Sequence, residues 1–183
     1  MYVFNSLIGI FYHSKLVNSL KKQGEIMLQK GSQAPLFSLP DQNNELINLK
    51  NFRGRWVILY FYPKDMTPGC TTEACNFMEI FPKFENLNAV VLGISKDTVE
   101  KHKKFAQKYD LKFPLLSDQK SDVCETFGVW QKKSLYGREF MGIVRSTYLI
   151  NPEGIIEKVY PKVKVNTHHL EILADLNSIK NDL

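Results

Sequence analysis

The chain has 183 residues, 44 % hydrophobic and 23 % charged, with a formal charge of +5. Those proportions suit a globular protein with one core-forming domain, and no apolar run reaches the ~20 residues that span a bilayer. Lys15, Lys21, Lys22 and Glu25 supply a net +2 of the +5, and the +3 left over is scattered rather than striped. That argues against a nucleic-acid partner. Three cysteines are too few and too unevenly placed for a secreted disulfide framework, so a reducing, cytoplasmic setting is expected. A close pair of thiols kept there is reactive rather than structural.

Residues 1–26 differ in character from the rest of the chain. Their apolar run precedes the lysines, the reverse of a secretory signal, and no small-residue cleavage site is present. They read as a loosely ordered extension, or as sequence ahead of a natural start at Met27. An amphipathic surface helix with Leu16, Val17 and Leu20 on one face is the less favoured reading. The domain proper is expected over 27–183.

From Gly31 to Leu49 the segments LFSLP and ELINL flank the turn-rich DQNN and predict a hairpin. WVILYFY, residues 56–62, is a continuous β-branched and aromatic run suited to a central strand buried on both faces. Pro63 ends it, since proline cannot donate to a strand ladder. A helical pattern runs from about Thr71 through Ala74, Phe77, Met78 and Phe81, is kinked or restarted by Pro82, and ends near Leu87. AVVLGIS, residues 89–95, predicts a second buried strand. Asp97 and Glu100 predict a capping box for a helix whose inner face is Val99, Phe105 and Tyr109. FPLLSD gives a third strand, and STYLI and IIEKVY a hairpin about NPEG, residues 151–154. A last helix is predicted over 167–180, with Leu170, Leu173, Leu176 and Ile179 inward. The order of elements predicts one α/β domain with a mixed central sheet, helices on both faces and an N-terminal β-hairpin. That order is compatible with a thioredoxin-like three-layer architecture.

The chemistry concentrates in YFYPKDMTPGCTTEAC, residues 60–75. Cys70 falls where a strand has ended and a helix is about to begin, so unpaired N–H groups and the helix dipole favour the thiolate, the nucleophilic form. Thr67 is close enough through a tight turn for its hydroxyl to reach the sulfur or whatever the sulfur attacks. Gly69 lets the backbone pass close by. Cys75 is harder to place. Over the intervening residues a helix advances ~7.5 Å and rotates ~500°, leaving the two side chains about 140° apart. A disulfide needs Cα atoms within roughly 7 Å and facing Cβ vectors. The two thiols are therefore apart in an intact helix and can join only where its first turns unwind.

Pro63, Thr67 and Cys70 reproduce the P-x-x-x-T-x-x-C motif of the peroxiredoxins, and the position of Cys75 is similar to that of the resolving cysteine in the PrxQ, or bacterioferritin comigratory protein, group. The stretch GVWQKKSLYGREFMGIVRSTYLINPEG resembles that group nearly throughout, and its Arg145 matches the family's active-site arginine. The likeness covers about residue 27 to the end. It implies a thioredoxin fold and a thiol peroxidase that uses no haem, metal or flavin. It implies further that Cys70 attacks a hydroperoxide, that Arg145 and Thr67 hold the substrate, and that Pro63 shields the sulfur. Cys75 would then close an intramolecular disulfide, which thioredoxin or a similar dithiol protein reduces. An internal disulfide makes a monomer sufficient, and neither a nucleic acid nor a membrane is implied.

Other residues read more plainly. Cys124 is expected to be core packing, with reaction toward Cys70 or glutathione held in reserve. Glu73 is expected merely to suit the helix dipole. His168 and His169 point different ways and complete no metal set. Trp130 and Tyr136 read as a wall of the pocket or as plain packing rather than as substrate platforms. Two functions compete with the peroxidase: a redox relay that passes oxidation to clients by mixed disulfide, and a thiol–disulfide reductase, which the lack of C-x-x-C weakens.

Overall fold

The computed structural model describes residues 26–135 and 137–181 of the chain. The extension over 1–25 and Tyr136 therefore lie outside the described residues. The chain begins with a hairpin, β1 (Ser38–Pro40) and β2 (Leu46–Asn48), and a 3-10 turn, Leu49–Phe52. Next come β3 (Trp56–Phe61), helices α1 (Pro68–Glu79) and α2 (Phe81–Asn86), β4 (Ala89–Ser95), α3 (Val99–Tyr109), β5 (Leu115–Ser117) and α4 (Asp122–Thr126). A second hairpin, β6 (Trp130–Leu135) and β7 (Arg138–Ile143), precedes β8 (Ser146–Ile150), β9 (Ile156–Tyr160) and α5 (His168–Asn181).

The main sheet has the order β5-β4-β3-β8-β9. β3, β4 and β5 run parallel, and β8 and β9 are added antiparallel. β3 is central and every one of its residues is buried, which accounts for its unbroken apolar run. Alternation along the strand divides the interior in two. Trp56, Ile58 and Tyr60 face a core shared with Ala74 and Phe77 of α1, Phe84 of α2, Phe105 of α3, and Ile172 and Leu176 of α5. Val57, Leu59 and Phe61 face another, with Phe37, Val123, Cys124, Phe127 and Val129. The mixed sheet, its covering layers and the N-terminal hairpin are as the sequence predicts.

Four details differ. The helix predicted from about Thr71 starts at Pro68, because Thr67 takes the extended N-cap conformation and proline's fixed φ suits the first helical position. At the head of α3 the cap is Thr98, whose hydroxyl accepts from the Lys101 N–H; Asp97 is instead buried and bonded elsewhere. In α5, Leu176 is buried and Leu173 and Ile179 pack against the core as expected, but in the first turn Leu170 is 50 % exposed and His168 and His169 are buried in its stead. Finally, β6 and β7 form a hairpin that no apolar pattern announced.

Candidate active site

β3 delivers the chain to the site and α1 carries it. The first bond inside α1 is Thr71 N–H to the Thr67 carbonyl, 2.9 Å. The amides of Gly69 and Cys70 therefore stand ahead of the hydrogen-bonded ladder, and Pro68 has no N–H to offer. Cys70 is 1 % exposed, while Cys75, further along the same unbroken helix, is exposed. All three cysteines are free thiols. The structure thus has the two thiols of α1 apart, one buried and one open to solvent.

Arg145 reaches this helix because of the sheet register. Ser146 of β8 pairs with Phe61 at the end of β3, so the residue before Ser146 lies beside the point where the chain leaves for α1. Its Nη2 donates to Cys70 Sγ at 3.1 Å. Its Nη1 donates to Glu73 Oε2. Cys70 and Glu73 are three residues apart and share a helix face, so one planar guanidinium serves both. The partners of the half-buried Arg145 are thus a thiol and a carboxylate.

Glu73 is the residue that sequence reasoning set aside. Its side chain has no solvent exposure, and burial lifts its carboxyl from 4.5 to about 7, with Arg145 pulling the other way. Oε1 has no hydrogen-bond partner. Helical phasing from Cys70 would have found it once the helix start was moved back to Pro68. Lys133 of β6 was also missed. Burial and then the Arg145 charge lower its pKa, and its Nζ donates to the Ile143 carbonyl at 2.7 Å.

Thr67 lies at the N-cap, and its hydroxyl donates to the Lys64 carbonyl at 3.0 Å rather than to the sulfur. The oxygen's lone pairs remain as acceptors. Pro63 is exposed, at the head of the loop that leads from β3 to Thr67. Cys124 is fully buried in the second core, its N–H bonded to Asp118 Oδ2 at 2.8 Å. Trp130 packs against that same core and takes Lys96 Nζ over its ring at 4.2 Å. His168 Nε2 lies 2.8 Å from Thr147 Oγ1, and burial holds the ring's pKa down at about 4. Among the described residues no group of three or more His, Cys, Asp or Glu is placed to hold a metal ion, and no helix is long and apolar enough to cross a membrane.

Residues 30–159 match the AhpC/TSA family. A protein named putative peroxiredoxin bcp from Coxiella burnetii is 48 % identical, the alignment covering 81 % of this chain and 99 % of that one. Peroxiredoxin Bcp from Bacillus subtilis is 45 % identical, over 83 % and 97 %. Among solved structures, a cysteine-to-serine mutant of PrxQ from Xylella fastidiosa superposes with a TM-score of 0.81 at 36 % identity, covering 85 % of this chain and 99 % of that one. The bacterioferritin comigratory protein of Xanthomonas campestris, described for its alkyl peroxide reduction activity, gives 0.76 at 36 % identity, over 84 % and 98 %.

Proposed function

The chain belongs to the AhpC/TSA family, and from that premise we propose that it is a thiol peroxidase with Cys70 as peroxidatic and Cys75 as resolving cysteine. The catalytic domain is taken as 27–183. The observation that carries the reading is the Arg145 contact to the Cys70 sulfur at the N-terminus of a helix. A guanidinium at 3.1 Å donates a hydrogen bond to the attacking sulfur and remains in place as negative charge moves onto the substrate.

The thiolate attacks the nearer oxygen of a hydroperoxide. An S–O bond forms and the O–O bond breaks. The departing oxygen takes up a proton as water or an alcohol, and Cys70 is left as a sulfenic acid. Arg145 and the open amides of Gly69 and Cys70 stabilise the charge on the departing oxygen. The Thr67 oxygen accepts a hydrogen bond from the peroxide, and Pro63 walls the approach. The first turns of α1 then unwind and the Cys75 sulfur displaces the hydroxyl as water, leaving a Cys70–Cys75 disulfide. Thioredoxin or a similar dithiol protein reduces it by exchange. Exposure of Cys75 supports this order of events, since a packed cysteine would have to be uncovered first. The alkyl peroxide activity of the Xanthomonas campestris relative supports organic hydroperoxides beside hydrogen peroxide as substrates. The cycle needs neither a second copy of the chain nor a cofactor, and cysteine usage favours the cytoplasm.

Rapid mixing with peroxide, followed by alkylation and intact mass, tests the assignment. Cys70→Ser should show no oxidation. Cys75→Ser should complete one turnover, stop as a sulfenic acid, and fail to cycle with thioredoxin and its reductase. Full steady-state turnover by Cys70→Ser would sink the reading. One-shot oxidation with captured client proteins would favour the relay instead.

A further inference from the structure

The loop between β3 and α1 is pinned by a buried polar cluster that the peroxidase cycle does not use. The Asp65 carboxylate accepts from the Tyr62 hydroxyl at 2.7 Å, and its other oxygen lies 2.8 Å from His102 Nδ1 on α3. Because a carboxylate only accepts, Nδ1 carries the hydrogen. The Asp65 N–H donates to Asp97 Oδ2 at 2.8 Å. That carboxylate also accepts from Ser95 Oγ at 2.9 Å, and the Asp97 carbonyl takes Ser117 Oγ at 2.6 Å. Tyr62 and His102 have no exposure, Asp65 5 % and Asp97 6 %. One loop residue is thus tied to Tyr62 just past β3, to α3 and, through Asp97, to the ends of β4 and β5. The next residue, Met66, stands in the left-handed region at φ 60°, a conformation a methionine keeps only where its surroundings enforce it.

We propose that the Asp65–His102 pair is a positioning device for the redox switch: by fixing the loop at the foot of α1 it sets how readily the first turns of the helix unwind. The proposal rests on the Cys70–Cys75 reading. Cys70 is buried and must leave its place to meet Cys75. With Asp65 held, only Met66 to Gly69 can absorb that movement on the upstream side. With Asp65 released, the slack extends back to the end of β3.

The two steps of the cycle respond unequally to such a release. Loss of one charge-assisted hydrogen bond shifts a two-state equilibrium on the order of tenfold. Raising an unwound population from ~1 % to ~10 % lowers the folded one only from ~99 % to ~90 %. Peroxide attack, which uses the folded form, barely changes. Disulfide closure, which draws on the unwound form, speeds up by nearly the full factor.

Quenched-flow mass spectrometry of the full chain with hydrogen peroxide separates these steps. His102→Leu should close the disulfide about tenfold faster, change Cys70 oxidation by less than about twofold, and accumulate less sulfinic acid in excess peroxide. His102→Asn, whose side-chain amide can donate to Asp65 from the Nδ1 position, should restore the wild-type rates. Tyr62→Phe keeps the packing and removes one donor to Asp65, so it should move closure the same way by a smaller factor even if His102→Leu does not fold. Unchanged closure in Tyr62→Phe and His102→Leu, or slowing of both steps by one common factor, overturns the proposal. If the wild-type protein never forms the Cys70–Cys75 bond, the functional reading fails and this proposal fails with it.

Discussion

A carboxyl group inside a helix is ordinarily a solvated surface feature, and Glu73 has the sequence context of one. Its neighbours make it something else. No part of the side chain reaches water, one oxygen is held by Arg145 and the other has no partner. Burial therefore raises its pKa from 4.5 to about 7. The folded protein keeps a proton there that the unfolded chain gives up above pH 4.5, so stability falls as pH rises across that interval and is flat beyond it. At about 1.36 kcal/mol per pKa unit the full effect is at most a few kcal/mol. His168 works in the opposite sense. Its pKa drops from 6.5 to about 4, so its contribution is lost as pH falls through that range. Comparing Glu73→Gln with wild type cancels the histidine. Urea midpoints at pH 5 and pH 8 should show the wild-type protein losing more stability on the way up than the variant. Equal losses would mean that Glu73 is ionised and well solvated at both pH values.

At the scale of elements, what shows in sequence is what repeats along a strand or a helix. β3 and β4 were legible because strands buried on both faces need unbroken apolar runs. Even Gly93, in the middle of such a run, has a reason that appears only on pairing. It is the cross-strand partner of Tyr60, and a Cβ there would meet the Tyr60 ring and hydroxyl at 2.7 Å. The ring cannot step aside, being stacked on Tyr62 and tilted against Phe77 with centroids 5.3 and 4.9 Å away. Gly93→Ala should therefore lower stability by about 1–3 kcal/mol, read as an earlier denaturation midpoint with unchanged slope. A midpoint matching wild type would show that the tyrosine has room to move. Elements held by polar contacts were harder to read. The β6–β7 hairpin carries an exposed ion pair, Lys132 with Glu139, and the bond from Lys133 to Ile143, and its exposed apolar residues, Phe140 and Met141, are adjacent in the strand and so make no alternating pattern. In α5 the histidines are inward because Thr147 meets His168, a contact between residues far apart in the chain. The site divides along the same line. Cys70, Thr67 and Arg145 were nameable from local motif and resemblance. Glu73, Asp65 and His102 were not, because a buried ionisable group is spelled like a surface one until its partner is in view.

For the whole molecule the decisive feature is that the sheet has two faces, and the cysteines are divided between them. Cys70 belongs to the core on one side and Cys124 to the core on the other. A Cys70–Cys124 bond would need both thiols to leave separate cores on opposite faces of the sheet, whereas a Cys70–Cys75 bond would need only local loss of helix. Burial, with the Asp118 charge adding to it, also raises the Cys124 thiol well above the usual range, so it has little thiolate with which to attack a sulfenic acid. The reserve role that the sequence allowed it loses its support, and packing remains. Cys124→Ala should accordingly keep peroxide turnover and disulfide closure at wild-type rates while losing roughly 1 kcal/mol of stability to the cavity it leaves. In the wild-type protein Cys124 should resist alkylation until denaturant is added, before and after oxidation alike. Peptide mapping after peroxide should find Cys70 joined to Cys75 and Cys124 still a thiol. Recovery of a Cys70–Cys124 peptide from folded protein would mean that both thiols leave their cores during the cycle, and the separation of the two cores could not then be what directs the chemistry.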